Sequence, residues 1–245
     1  FDDANVRRAM FLLINREDFK VGVYKNVMWP GSYFGPDVVS TAADIAKRPG
    51  FRNNPDGTKL QADIDEAVSL LRAAGYSESN KVKFSIMVRT VSVYPTAAVF
   101  LKNQFEITGL VDVTIDEVES VAGLKRQASG EFQMSYRIIA PTTDDPDGVF
   151  LPIYLPGGSE NAVKYEDPRI VDIFNKQTGE LDPAKRLALL TQAEDILMEG
   201  KSHWFQIGWG PSFGVTSVMI KNQGNWPNQW GDYLRPGDML AELDH

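Results

Sequence analysis

The constraint that bears hardest on the fold is a strand, helix, strand rhythm between residues 81 and 139. In KVKFSIMV the residues Val82, Phe84, Ile86 and Val88 recur at period two, so a strand here buries one face. After Pro95 a helical pattern carries Phe100, Leu101 and Phe105, Gly109 closes it, and VDVTI then presents Val111, Val113 and Ile115. Such a unit makes a parallel strand pair with a right-handed crossover. The rhythm recurs once. A helix over residues 121–129, closed by Gly130, leads into FQMSYRII, where Phe132, Met134, Tyr136 and Ile138 alternate. The expectation is an α/β fold with a mixed, mostly parallel sheet and helices on both faces. In open sheets of this kind ligands bind beyond the carboxyl ends of the strands.

The flanking regions supply the rest of the frame. Residues 3–24 read as one helix with Val6, Met10, Leu13 and Ile14 on its apolar side. Residues 27–60 form a long irregular connection holding Trp29, Tyr33 and Phe34, and a connection of that length inside a domain is usually functional or draped over a surface. Asp63 reads as the cap of a helix carrying Ile64, Ala67, Val68 and Leu71, with Glu66 three residues on and Gly75 as its stop. Residues 168–178 form a short helix. Asp182 and Pro183 open a longer one that buries Leu187, Leu190, Ala193 and Leu197 before Gly200. HWFQIGW and FGVTSVMI read as two strands, and the tail is irregular.

The stretch RIIAPTTDDPDGVF sits at a strand end and crowds Asp144, Asp145 and Asp147 around Pro146 and Gly148. It does not fit an EF-hand loop, which needs oxygen ligands at positions 1, 3 and 5 and Gly at 6, because Val149 or Pro146 falls where a ligand is required. The two histidines, His203 and His245, form no HExxH, and the absence of cysteine removes thiolate sites and disulfides, so neither a metal nor a cofactor is expected. No GxSxG elbow or phosphate-cradling glycine motif occurs, and no catalytic residue is assigned. A net charge of -8 without a basic run argues against nucleic acid as a partner. Asp and Gly beside Pro are turn formers, so the stretch is either a structural turn or the mouth of a ligand cleft.

The segment FDDANVRRAMFLLINREDF resembles F-x-D-x-x-V-R-x-A-x-x-x-A-I-D-R-x-x, which opens the C-terminal lobe of the family 5 solute-binding proteins of ABC transporters, the dipeptide, oligopeptide and nickel binders. DEAVSLLRAAGY is similar to their A-x-x-L-L-x-x-A-G-Y helix, and GEFQMSYRIIAPTTDDPD to their G-x-F-D strand with its Asp-Pro-Asp loop. ENAVKYEDPRIVDIFNKQTGELDPAKRLALLTQAEDIL resembles their Asn-x-x-x-Tyr helix pair. The resemblance runs in order from Phe1 to about Asn222.

What the resemblance implies is a periplasmic-binding-protein type II-like lobe. Residues 1–222 are expected to form the C-terminal lobe, and residues 223–245 an irregular tail returning toward an N-terminal lobe missing from this chain. The whole protein is expected in the periplasm or outside the cell, lipoprotein-anchored in one form, handing a small-molecule or peptide ligand to a membrane permease. A hydrolase using the carboxylates of the Asp144–Asp147 loop and a ligand-sensing module on the same fold stand as alternatives. In peptide-binding relatives an aspartate neutralises the peptide amino terminus, and the matching position here is Thr142. Either Asp144 takes that role from a neighbouring position or the ligand carries no ammonium there. Arg137, Ile139, Pro141, Thr142 and Asp144 form the expected ligand-binding set. Arg137 would pair with an anion, and Trp29, Tyr33 and Phe34 would stack on a ligand or pack at the lobe interface. Trp204 and Trp209 carry the same two readings.

Overall fold

A computed structural model describes residues 1–29, 31–141, 143, 145–210, 220–221 and 242–243. Its centre is a three-stranded parallel sheet in the order β2-β1-β3, with β1 at Val82–Arg89, β2 at Val111–Val118 and β3 at Met134–Ser135. β1 and β2 pair over their full length, from Val82 opposite Val111 to Arg89 opposite Val118. No described helix is long and apolar enough to cross a membrane.

Chain order and handedness put helices on both faces. The first crossover runs from β1 outward to β2, and the second returns across β1 to β3; with the same right hand, the two crossover helices fall on opposite sides. Side chains agree. Phe84 meets Phe105 of α5 (Tyr94–Glu106) at 6.0 Å between ring centroids. Arg89, on the other parity of β1, lies against α6 (Ser120–Ser129), where a Cβ on Gly123 would sit 2.5 Å from its Cγ. Both parities of β1 are therefore buried at Ile86, Met87 and Val88.

The expected first helix is two. α1 (Ala4–Leu13) ends before Asn15, whose side chain accepts the Asp18 N–H to cap α2 (Arg16–Gly22). The cause is buried Gln104 on α5, which accepts the Asn15 N–H at 3.2 Å, the donor a continuous helix would turn to the Phe11 carbonyl, while the Asn15 carbonyl takes both Gln104 Nε2 (3.1 Å) and the Phe19 N–H (3.0 Å) of the new helix. Asp63 is likewise not a cap. α4 (Gln61–Ala73) starts two residues earlier, and the fully buried Asp63 carboxylate takes the Gly50 N–H (2.8 Å), Arg52 Nε (2.7 Å) and Lys59 Nζ (3.1 Å), fastening the long connection to the helix. Glu66 pairs with Arg8 at 3.0 Å instead of closing a capping box. The connection itself holds one short helix, α3 (Ala42–Ile45).

Beyond the sheet, α7 (Asp147–Val149) leads through a π-helical turn (Phe150–Tyr154) to α8 (Pro168–Thr178) and α9 (Pro183–Met198). Asp182 accepts the Ala184 and Lys185 amides ahead of Pro183, as expected of a cap. The third strand is far shorter than its alternating pattern. After Ser135 one ladder bond follows, from Tyr136 N–H to the Met87 carbonyl (3.3 Å), and the Ile138 N–H goes to the Tyr94 hydroxyl (3.1 Å) instead of β1. HWFQIGW is extended without being a ladder strand: its one bridge joins Trp209 to Trp29. FGVTSVMI lies outside the described residues save for Ile220, which with Lys221 (β4) pairs antiparallel with Glu242–Leu243 (β5). The lobe boundary expected at residue 222 also lies outside them.

Candidate functional site

The aspartate stretch closes on itself. Asp145 Oδ1 accepts the Asp147 N–H (2.9 Å), and the Asp145 carbonyl takes the Gly148 N–H (2.9 Å), forming the turn that starts α7. The Asp145 carboxylate then receives Arg186 of α9 bidentately, at 2.7 and 2.9 Å. Arg186 Nε donates to Gln177 Oε1 (2.9 Å), and Gln177 Nε2 donates to Asp147 Oδ1 (2.6 Å), completing a ring that ties turn, α8 and α9 together. The Arg186 bonds hold the Asp145 carboxyl below the usual carboxylate range, against the raising effect of its partial burial. A carboxylate that is paired and lowered in pKa is a poorer base than a free one. Thr142 and Asp144 lie outside the described residues.

Next to this turn a hollow of about 530 Å³ opens between two extended segments, residues 132–141 and 203–210. The two do not pair. The second segment is held elsewhere: its Gln206 carbonyl accepts Arg16 Nε (2.8 Å), while the Trp204 and Gly208 carbonyls accept local donors, Ser202 Oγ (2.6 Å) and Gln206 Nε2 (3.2 Å). Trp209 exchanges both backbone bonds with Trp29 (2.8 Å each), and its indole N–H reaches the Ser32 carbonyl (2.6 Å). Arg16 is the anchor. It is fully buried, lies over the Phe51 ring at 3.8 Å, and also donates to the Gly50 carbonyl (2.7 Å); burial lowers its pKa to about 10, still charged at neutral pH.

The wall of the hollow is largely apolar, with Ile14, Met28, Leu101, Phe105 and Ile153 in it. Polar groups are few. The Tyr24 and Tyr136 hydroxyls bond each other at 2.6 Å, and burial raises the pKa of both. Tyr33 is 0% exposed; among the described residues its hydroxyl has no partner of good hydrogen-bond geometry, the Gln206 backbone being the polar group set against it, and burial pushes its pKa up to about 12. The Trp204 indole N–H is buried without a partner among the described residues as well. His203 packs edge-on to Tyr165, and burial together with Arg7 lowers its pKa, so it is neutral near pH 7.

Of the expected ligand set, the structure brings Arg137, Ile139, Pro141 and Tyr33 to the hollow. Arg137 is already engaged: Nη2 donates to Glu160, and its guanidinium stands 5.9 Å from the centroid of the Trp204 ring. Phe34 does not join them. It is buried against Phe150, stacked at 4.6 Å between centroids, and is a core residue. Trp29 is half exposed and lies off the hollow, bracing Trp209 through its backbone. Sequence reasoning missed Arg16, Glu160 and the Tyr24–Tyr136 pair. The available signal was an arginine two residues past the apolar run that ends at Ile14, between two segments whose apolar residues, Leu13 and Phe19 among them, are core.

A model of the bacterial extracellular solute-binding proteins, family 5 Middle, matches residues 1–161. The periplasmic oligopeptide-binding protein OppA of Haemophilus influenzae is 24% identical over 199 residues, covering 80% of this chain and 36% of the relative. The probable deoxycholate-binding periplasmic protein YgiS of Escherichia coli is 24% identical over 201 residues, covering 80% and 35%. The crystal structure of Haemophilus influenzae OppA in complex with RPPGFSPFR superposes with a TM-score of 0.69 at 22% identity, over 82% of this chain and 38% of that one. The chain spans about a third of the length of the curated relatives it matches.

Proposed function

The chain belongs to family 5 of the bacterial extracellular solute-binding proteins, and from that premise we propose that it is the larger part of one lobe of the substrate-binding component of an ABC importer. The whole protein captures a small solute (a peptide, a sugar or a similar molecule) between two lobes and delivers it to a membrane permease. It works in the periplasm, or outside the cell as a lipoprotein. The observation that carries this reading is the hollow at the carboxyl end of β3, where the chain leaves the sheet and an apolar wall meets a few unspent polar groups. The named relatives bind different cargo, an oligopeptide in one case and, by its name, deoxycholate in another, so the family fixes the mode of action more tightly than the ligand.

A hydrolytic role for the aspartates has less support. Asp145 is locked to Arg186 and Asp147 is bonded to Gln177, so neither is placed as a free base or nucleophile. The test is to purify the full-length protein under mild conditions, extract it and identify the released small molecules by mass spectrometry. A single stoichiometric compound that returns to the stripped protein unchanged, and raises its melting temperature, is the expected result. Conversion of that compound into a product would sink the binding-protein reading.

A further inference from the structure

We propose that the hollow between residues 132–141 and 203–210 is a strand gap: in the whole protein the segment that leads into Phe1 lies along it as an extended strand, antiparallel to both banks. This rests on the reading of the chain as part of one lobe of a larger solute-binding protein, and it names a contact by which the rest of that protein completes the lobe.

Three observations converge on a strand. The first is open backbone on both banks. On one bank the Tyr136 N–H goes to the Met87 carbonyl and the Ile138 N–H to the Tyr94 hydroxyl, with Ser135 in register with Met87 of β1. Alternation then turns the backbone groups of Gln133, Ser135, Arg137 and Ile139 to the other edge, where none finds a hydrogen-bond partner among the described residues. On the other bank the Gln206 carbonyl faces Arg16, so Phe205 and Ile207 turn their backbone groups the opposite way, again without a partner among the described residues. All six residues line the hollow. Two facing edges of unpaired N–H and C=O groups are a template onto which an added strand pairs.

The second is the position of Phe1, which also lines the hollow. Its ring packs edge-on to Phe84 at 4.8 Å, near the start of β1, and Arg7 donates both to its carbonyl (2.6 Å) and to that of Lys201 (2.6 Å), just ahead of the second bank. At the far end the Tyr24 hydroxyl meets that of Tyr136, and a Cβ on Gly210 would lie 3.7 Å from the Tyr24 ring. Both banks therefore run away from Phe1, and a segment reaching Phe1 along the gap runs against both. Adjoining Phe1, it outcompetes any free strand through its effective concentration. The third is length and lining. Residues 133–139 extend roughly 20 Å at about 3.3 Å per residue, and Ile14, Leu101, Phe105 and Ile153 would flank the added strand with the apolar contacts of an inner strand. The chain spans about a third of the length of its curated relatives, and a protein of that length has ample sequence to supply the strand. The mouth at Pro141 and Gly210, beyond the strand, stays open to the solute.

The test uses the full-length protein, stripped of solute. In amide hydrogen exchange the N–H groups of Ser135, Arg137, Ile139, Phe205 and Ile207 are expected to exchange about a thousandfold or more slowly than unstructured amides, because a ladder protects them. Residues 1–245 contain no cysteine, so Met134→Cys and Ile138→Cys can each be paired in turn with one cysteine placed ahead of Phe1. An antiparallel strand predicts that Met134→Cys forms its disulfide at a position nearer Phe1, and Ile138→Cys at one about four residues farther upstream. Rapid exchange of these amides in the parent overturns the proposal whatever the variants do, and so does the reverse order of cross-links. Slow exchange without a cross-link, in variants that keep the parent's melting temperature, gives the gap to another occupant and overturns it too. Slow exchange only while the copurified compound is bound gives the gap to the solute, which overturns the strand and keeps the solute-binding reading. Cross-links in the expected order uphold the strand even where that compound proves to be turned over, so the two readings fail separately.

Discussion

The turn at Asp145–Gly148 and the hollow beside it are close neighbours in sequence and opposite in bonding. In the turn each described carboxylate is spent: Asp145 on Arg186, Asp147 on Gln177, and the backbone on itself. Beside the hollow, the buried Tyr33 hydroxyl and Trp204 indole N–H have no partner of good hydrogen-bond geometry among the described residues. The difference teaches that crowding of charge along a chain marks where structure is fastened and is by itself no guide to where a solute is received.

The comparison breaks first at Arg16. This buried cation holds residues 203–210 away from β3 through the Gln206 carbonyl, and holds the long connection through the Gly50 carbonyl. Charge-assisted hydrogen bonds of this kind contribute about 1.5–3 kcal/mol each, and the stacking on Phe51 adds to them. Arg16→Ala should therefore cost on the order of 3–5 kcal/mol, read as a lower urea midpoint at unchanged slope. A loss under about 1 kcal/mol would mean that the segment is held by other contacts and that the hollow has no fixed wall.

A smaller effect sharpens the other side. Asp145→Ala should cost about 1–2 kcal/mol of stability, discounted for a partly exposed pair, with solute binding unchanged. Because Arg186 depresses the folded-state pKa of Asp145, the ion pair stabilises above the unfolded carboxylate pKa of about 4 and is lost as the pH falls through the lower folded value. The gap between parent and variant should thus be level near neutrality and narrow on acidification below about pH 4. A gap that persists in acid would assign the cost to the turn backbone instead of the Arg186 pair.

Much of the frame was legible because it rests on short-range rules. Period-two runs gave β1 and β2, Gly75, Gly109 and Gly130 take the positive φ at which helices stop, and Asp182 with Pro183 caps α9 as its residue types require. What was not legible depends on partners distant in the chain. Gln104 splits the first helix from 89 residues away, and Asp63 leaves the cap position because Gly50, Arg52 and Lys59 bond to it. The third strand carries strand-like alternation to Ile138, yet its ladder ends early because Tyr94 claims the Ile138 amide and Arg137 turns to Glu160. At the site, Arg137, Ile139 and Pro141 could be placed at the end of a strand from local pattern. The partners that define the hollow, Glu160 and Arg16, follow only from packing.

The smallest effect bears most directly on the contrast. Tyr33 is fully buried, its ring lies 6.1 Å from that of Tyr154, and its backbone N–H is bonded to Glu194 at 3.2 Å, so the residue is held from both ends independently of its hydroxyl. Removing a satisfied buried hydroxyl costs about 1 kcal/mol, whereas removing an unsatisfied one relieves a desolvation penalty of similar size. Tyr33→Phe should therefore leave the ligand-free protein as stable as the parent, or more stable by up to about 1 kcal/mol, in equilibrium urea unfolding. The ring and its packing stay, so no cavity term enters the comparison. A clear loss of stability would show that the hydroxyl is matched without any solute, and the hollow would then differ from the turn in composition but not in bonding.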